Sequence, residues 1–590
     1  MKLKPIYRFY LGFAIFAFGM LINTFVFYSN YARYVNYHES LGEPMFTVEK
    51  YKIYAPTTKW KMAMEVTPNA VKKAKNNFDI GIFISMSGFL LLLTPKPSTT
   101  YGSARWAEKR DLLKNPKSTL DINLLGKEGT VLGDYGKQLI RDNEKTHTFV
   151  GAPTRMGKGI SVIIPTLLEW LHSCIVLDIK GENYQKTSGW RKKMGNKILR
   201  FSPKNENSCN YNPLAEIRYK TDREIEDTRV IANVIMQEEK SSSDPFWQNT
   251  GVDFLTGVIL HVLYVKKGNG TLSDVVEFIT DPSKPLEERM MEALEFKHDD
   301  VEVLRELYPL DLDIILRGNG THPMVAKTMA DTLNKGTTTM QSIIAGVKTK
   351  LSVFEMPSVK KNTSKSDFRI SDLMNYETPV SLYIVVEPGD IASLSSLIRI
   401  LIIQTINLLT PEMDFSDGED NKGFKHRLLF LLDEFPALGR MDVLEKALAF
   451  IAGYGMKAML IVQSLAQLNK AYGNDNSILD NCQIQLFYTA NDNKTAEYVS
   501  KSLGKETIKR TNISTAGGRF GKKTYSEAEV GRDLMTLDEV RKLCLTKIII
   551  FCAGKPPILA NKIFYFKDKR FKHKIIKPVK SDVLRGKEVI

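Results

Sequence analysis

The chain has 590 residues, 25% of them charged and 43% apolar. These are the values of a folded protein with room for several domains and at least one large core, and they exclude a wholly disordered or low-complexity chain. Its 82 Lys and Arg against 67 Asp and Glu leave a net charge of +15, which favours anionic partners such as nucleic acid, an anionic membrane leaflet or acidic protein tails. The five cysteines (Cys174, Cys209, Cys482, Cys544, Cys552) are odd in number and lack CxxC spacing, so neither a disulfide framework nor a zinc site is expected.

Residues 9–28, FYLGFAIFAFGMLINTFVFY, form an uncharged run of twenty. As a helix it would extend about 30 Å, enough to cross a hydrocarbon core. No clear small-residue cleavage site accompanies it, so a stable anchor is expected rather than a secretory signal. A second run, IGIFISMSGFLLLL at 80–93, becomes a second span if 78–95 is taken with its interfacial ends. Residues 1–97 then form a membrane anchor, with 29–77 exposed between the spans on the far side. Lys2, Lys4 and Arg8 before the first span, and Lys96, Arg105, Lys109 and Arg110 after the second, agree with positive residues staying in the cytoplasm. Lys72, Lys73 and Lys75 pull the other way.

Beyond residue 97, short apolar runs alternate with helix-like stretches. The spacing predicts strands at 147–150, 173–179, 380–386, 427–432, 457–462, 483–489 and 547–552. Several are continuous Ile/Leu/Val runs, as in strands covered on both faces. This is the pattern of an α/β domain on a mostly parallel sheet, comprising 98–220 and 375–566. Residues 221–374 break the alternation and read as an all-α insertion. The tail 567–590, with nine Lys and Arg against three acids, reads as a loosely ordered basic end.

The segment TFVGAPTRMGKGISVIIPTLLEW, 148–170, has the strand–loop–helix order of a phosphate loop. In such a loop the backbone N–H groups point at a helix N-terminus and a lysine reaches the β- and γ-phosphates. Ala152, Pro153, Thr154, Arg155, Met156 and Gly157 would be the cradle, with Lys158 and Gly159 opening the helix. Ala152 stands where the first glycine is usual, and Gly159 where a magnesium-binding hydroxyl is usual. Further on, HRLLFLLDEFPALGR ends an apolar run in Asp433–Glu434. Asp433 would hold Mg²⁺, and Glu434 would polarise the attacking water. KAMLIVQS ends a third apolar run at Gln463, whose amide could bond both the γ-phosphate and the water at the carboxyl end of a neighbouring strand. Together these predict an ATPase using ATP and Mg²⁺, with Lys158, Glu434 and Gln463 catalytic.

The stretches YGSARWAEKRDLL, GAPTRMGKGISVIIPTLL, VLDIKGENY, LLDEFPALGRMDVLEKALAFIAGYGMKAMLIVQSLAQL and GRDLMTLDEVRKL resemble those of the TraG-type coupling proteins of type IV secretion systems, in family order from about residue 101 to 543. The resemblance implies a RecA-like P-loop NTPase fold. It also implies a hexameric ATPase in the bacterial inner membrane, with its body in the cytoplasm, at the mouth of a secretion channel and its inner-membrane components. Its cargo would be protein effectors or single-stranded DNA attached to a relaxase, received by the all-α insertion. By the same resemblance residues 152–159 match the Walker A loop, Asp433 and Glu434 Walker B, and Gln463 the motif after it. Asp178 lies at a second strand end near the nucleotide. The family's form of the loop accounts for Gly159 but leaves the usual hydroxyl ligand for Mg²⁺ unaccounted for; Ser161 and Thr154 are nearby hydroxyls, and neither is assigned. An arginine finger from a neighbouring subunit is expected, with Arg155, Arg399, Arg440 and Arg532 as candidates. The alternatives are a double-stranded DNA translocase of the chromosome-segregation type, and a nucleotide-binding membrane scaffold without turnover.

Overall fold

In the computed structural model, residues 5–48, 51–54, 64, 67–75, 82, 85–86, 99–114, 123–237, 245–317, 320–411, 423–516 and 522–585 are described. The chain forms two compact units, residues 1–101 with 507–530, and 102–506 with 531–590.

In the first unit a 30-residue helix, Pro5–Tyr34, contains an apolar stretch at Phe13–Tyr34 long enough to cross a membrane. Its C-terminal end leads to a small hairpin of β1 (Phe46–Val48) and β2 (Tyr51–Ile53). Tyr31, Leu41, Tyr54 and Ala74 are buried together there. The second expected span, 78–95, lies largely outside the described residues. Of it, Ser85 accepts a hydrogen bond from Asn23 Nδ2 at 3.4 Å.

The second unit is built on eleven strands: β3 (Thr130–Tyr135), β4 (Gln138–Asp142), β5 (Thr148–Gly151), β6 (Ser173–Ile179), β7 (Lys197–Phe201), β8 (Val380–Val386), β9 (Leu428–Leu432), β10 (Met456–Val462), β11 (Ile484–Phe487), β14 (Lys547–Cys552) and β15 (Ile558–Asn561). Between β11 and β14 in chain order, β12 (Lys505–Ala516) and β13 (Lys522–Asp533) form a separate two-stranded sheet, and Glu506 of β12 also makes an isolated antiparallel bridge with Ser103. The order across the large sheet is β4-β3-β15-β14-β11-β5-β10-β9-β6-β8-β7. From β11 to β7 every pairing is parallel, and from β11 outwards to β4 every pairing is antiparallel.

The seven strands expected from continuous apolar runs are all present. Those in the parallel part are buried almost throughout, because helices cover both faces and leave no solvent side to carry polar residues. The unanticipated strands are short or peripheral. β7 carries Lys197 and Arg200 at the sheet edge, and the β3–β4 turn is made by Gly136 and Lys137, both at positive φ, the backbone a tight two-residue hairpin needs.

Between β7 and β8 the described chain is helical, from Glu224–Met236 to Asp372–Asn375. The helix Pro245–Val265 is buried along most of its length. A second apolar stretch of membrane-crossing length, Pro388–Leu408, is 61% buried and contains a core helix of the sheet layer, Ile391–Leu408.

The basic tail corrects an expectation. Instead of running loose, residues 567–585 pack against the α/β unit. Phe571 is buried with Ile164 and Leu168 of the helix after β5. Arg570 pairs with Asp134 at 2.7 Å, and Lys574 with Glu169. Asp582 N donates to Ile198 O at 2.6 Å while its carboxylate accepts from Ile198 N at 2.8 Å, closing the open edge of β7. Carboxylates scattered over the folded surface neutralise charges that look unpaired along the chain.

Candidate active site

β5, β9 and β10 lie side by side and parallel, so their carboxyl ends open at one edge of the sheet. β5 ends at Gly151, where a Cβ would stand 2.9 Å from the Phe487 ring. Ala152 is fully buried and its N–H donates to Val462 O at 3.0 Å, so the first loop residue is tied to the strand that carries Gln463. Arg155 (φ 62°) and Gly157 (φ 85°) are left-handed. At Gly157 that conformation is natural, whereas at Arg155 it costs of order 1 kcal/mol, a strain of the kind concentrated at functional loops. The helix then opens with a wide turn, Gly159–Ile163, and continues as Ile164–Glu169. Pro165, lacking an N–H, sits at that junction.

Lys158 Nζ lies 2.8 Å from Asp433 Oδ1 and 2.8 Å from Glu434 Oε1. The three side chains are 15%, 15% and 25% exposed, so the charges meet in a largely desolvated pocket. Burial pushes the Asp433 carboxyl up, against the pull of Lys158. At Glu434 burial acts the same way, but the Lys158 ammonium and a hydrogen bond from Gln463 outweigh it and hold the carboxyl below its ordinary value. Glu434 itself is left-handed, φ 51° and ψ 39°, as it turns the chain from β9 into Phe435–Leu438. This second strained non-glycine residue at the same edge aims a carboxylate at the loop. Gln463 is fixed from behind, its N–H donating to Gln467 Oε1 at 2.8 Å.

The residues singled out for metal chemistry separate clearly. Asp433 faces the pocket. Ser161 is buried, donating to Gly157 O at 2.9 Å and sharing a hydrogen bond with Tyr488 Oη, so its hydroxyl is committed to holding the loop. Thr154 is exposed on the loop. A Cβ at Gly159 would meet nothing within 4 Å, so packing does not forbid a hydroxyl there. A single carboxylate plus substrate phosphates and water is a donor set that suits Mg²⁺. Asp178 is fully buried and caps the helix Glu182–Lys193, accepting from Asn183 N at 3.2 Å and Tyr184 N at 2.8 Å. Burial pushes its carboxyl up to about 6, with Asp433 adding to the effect.

The finger candidates also differ. Arg399 is buried and donates to Gln237 Oε1 at 3.0 Å. Arg440 is held by Asp442, and Arg532 by Glu539. Arg155 is exposed on the phosphate loop. One residue missed in the sequence is Lys562. It follows β15, is only 6% exposed, and donates to Met156 O at 3.0 Å. Nothing near it in the sequence marks it, since the contact spans 406 positions.

A mostly parallel sheet that brings the loop after β5, paired carboxylates and a glutamine to one edge is that of the RecA-like P-loop class. Within it, the chain belongs to the type IV secretory system conjugative DNA transfer family, whose sequence profile matches residues 103–585. It is 36% identical to an Escherichia coli conjugal transfer protein TraG over 81% of this chain and 78% of that one. A second TraG from Escherichia coli is 34% identical over 99% of this chain and 95% of the relative. Among solved structures, the plasmid coupling protein TrwB in complex with a non-hydrolysable ATP analogue shares the fold with a TM-score of 0.56. It is 16% identical, over 80% of this chain and 96% of TrwB.

Proposed function

We propose that this protein is an inner-membrane ATPase of a type IV secretion system, coupling ATP hydrolysis to the transfer of protein effectors or relaxase-bound single-stranded DNA into the secretion channel. The observation that carries the reading is the contact of one lysine, Lys158, with both Asp433 and Glu434, while Gln463 bonds the latter. ATP and Mg²⁺ as ligands are supported by TrwB, which has been captured with an ATP analogue and with ADP and Mg²⁺.

The triphosphate displaces the two carboxylates from Lys158, which then serves the β- and γ-phosphates while the loop N–H groups hold them. Mg²⁺ at Asp433 would neutralise charge developing on the phosphates. Glu434, released from its ion pair, accepts a hydrogen bond from the attacking water, and Gln463 orients that water. Two membrane-spanning helices hold the body at the cytoplasmic face, and a hexameric ring places a neighbour's arginine against each nucleotide. The helices between β7 and β8 receive the cargo. The conjugal-transfer relatives favour this reading over a chromosome-segregation translocase, and the paired carboxylates favour turnover over a scaffold.

The test is Glu434→Gln in the full-length protein purified from membranes. Turnover should fall at least about hundredfold, as expected when a water-polarising group is lost, with ATP retained and cargo co-eluting. Hydrolysis at the wild-type rate would refute the assignment.

A further inference from the structure

β7 is the last strand on its side of the sheet, so its outward backbone groups need partners that no further strand supplies. The C-terminal segment 577–585 supplies them mostly from side chains. Arg200 N donates to Ser581 Oγ at 3.0 Å, and Ile198 N to the Asp582 carboxylate at 2.8 Å. The same strap lies along the helix Glu182–Lys193. Tyr184 Oη donates to Val579 O, Lys192 holds Asp582 at 2.7 Å, and a Cβ at Gly189 would collide with Lys577 O. A glycine in mid-helix costs helix stability, and here it lets the backbone of the strap approach the helix.

Beyond Asp582 the strap reaches the neck of the helical insertion, where the outgoing and returning chains are bonded to each other. Tyr211 N donates to Asn362 O at 2.9 Å, and Asp367 N to Asn210 O at 3.0 Å. The Asp367 carboxylate accepts from Asn210 N and Nδ2 at 2.8 and 2.7 Å. Onto this pair the strap adds a third chain. Leu584 N and Arg585 N donate to Asp367 O at 2.9 and 3.0 Å, and Arg585 pairs with Asp372 at 3.0 Å.

The bed of the strap leads back to the nucleotide site. Leu177 of β6 pairs with Leu432 of β9, so Asp178 and Asp433 stand at neighbouring strand ends. Burial pushes the Asp178 carboxyl up and the Asp433 charge adds to it. Asp178 in turn caps the helix that carries the strap. A triphosphate that draws Lys158 away from Asp433 changes the charge facing Asp178, and the capped helix is the element that feels it.

We propose that the C-terminal strap is the mechanical link between the nucleotide site and the helical insertion. It carries the state of Asp433, through Asp178 and the helix Glu182–Lys193, to the neck at Asn210, Asp367 and Asp372. The inference rests on the nucleotide reading above and adds to it the route by which turnover reaches the cargo helices.

The test is hydrogen exchange on the full-length protein, with and without a non-hydrolysable Mg²⁺-ATP analogue. In the wild type the analogue should protect residues 152–159. It should also shift the opening equilibrium of the neck, 207–212 and 362–372, about fivefold or more, the lower end of ordinary allosteric coupling. Gly189→Val, which expels the strap from the helix, should keep the loop protection and lose the response of the neck. Arg585→Ala, which loosens only the neck end, should do the same and serves if the glycine variant does not fold. A neck that responds equally in wild type and variants, or never responds, would overturn the link. No protection of 152–159 in the wild type would overturn the nucleotide reading itself, and the link with it.

Discussion

Replacing Lys158 by Met tests the whole site through a quantity other than activity. The lysine is the cation 2.8 Å from both Asp433 and Glu434. Without it two adjacent, mostly buried carboxylates face each other uncompensated. Breaking one side of a buried ion pair costs about 3–5 kcal/mol, and the partial exposure here argues for the lower end, about 3 kcal/mol. Domains of this kind are stable by about 5–15 kcal/mol, so the variant should fold with a lowered urea midpoint. The loss should also depend on pH. In the variant both carboxyls lie above their unfolded values, so their protonation favours the folded state. That contribution is fully present below about pH 4 and is lost as pH rises through the raised values. The deficit against wild type should therefore be larger at pH 8 than at pH 5. Urea unfolding of both proteins at the two pH values, with ATP turnover measured alongside, is the assay. Equal midpoints at both pH values, or retained turnover, would show that Lys158 does not join the two halves of the site.

Gly159→Ser should be accommodated, because a Cβ there meets open space, and it should lower the Mg²⁺ concentration needed for half-maximal turnover; a loss of folding would mean the helix start is tighter than it looks. Asp178→Asn isolates the buried capping carboxylate, whose folded pKa of about 6 is about two above the unfolded value. The wild type's stability at this site is complete below about pH 4 and lost as pH rises through 6, so wild type should gain about 2.4 kcal/mol over the variant between pH 8 and pH 4. A pH-independent difference in unfolding free energy would contradict this. Asp582→Ala removes the contacts to Lys192 and Ile198 and should make residues 577–585 more accessible to limited proteolysis, while an unchanged digestion pattern would argue that the tail is held without it.

Much of the candidate site was legible because its parts are contiguous and their chemistry is local. A parallel strand covered on both faces has to be an unbroken apolar run, so β5, β6, β8, β9 and β10 announced themselves, and the groups at their carboxyl ends came with them. The polar hairpin β12–β13 went unseen because none of its residues whose burial is described is buried, so they imprint no apolar period on the chain. Ser161 could not be judged as a magnesium ligand from its position alone, since its hydroxyl is claimed by Tyr488, 327 residues away.

The amino-acid order by itself therefore determined the class of machine: a phosphate loop, a carboxylate pair and an amide, each at the end of a strand, behind an apolar helix. Tertiary structure decided how these meet. The register of β5, β9 and β10 brings one ammonium onto two carboxylates, and the return of the C-terminal segment sets Lys562 beside the loop. The physical reason is range. Backbone periodicity and loop chemistry act over a few residues, whereas the compensation of buried charge is a property of neighbours in space, and those neighbours here are separated by hundreds of positions along the chain.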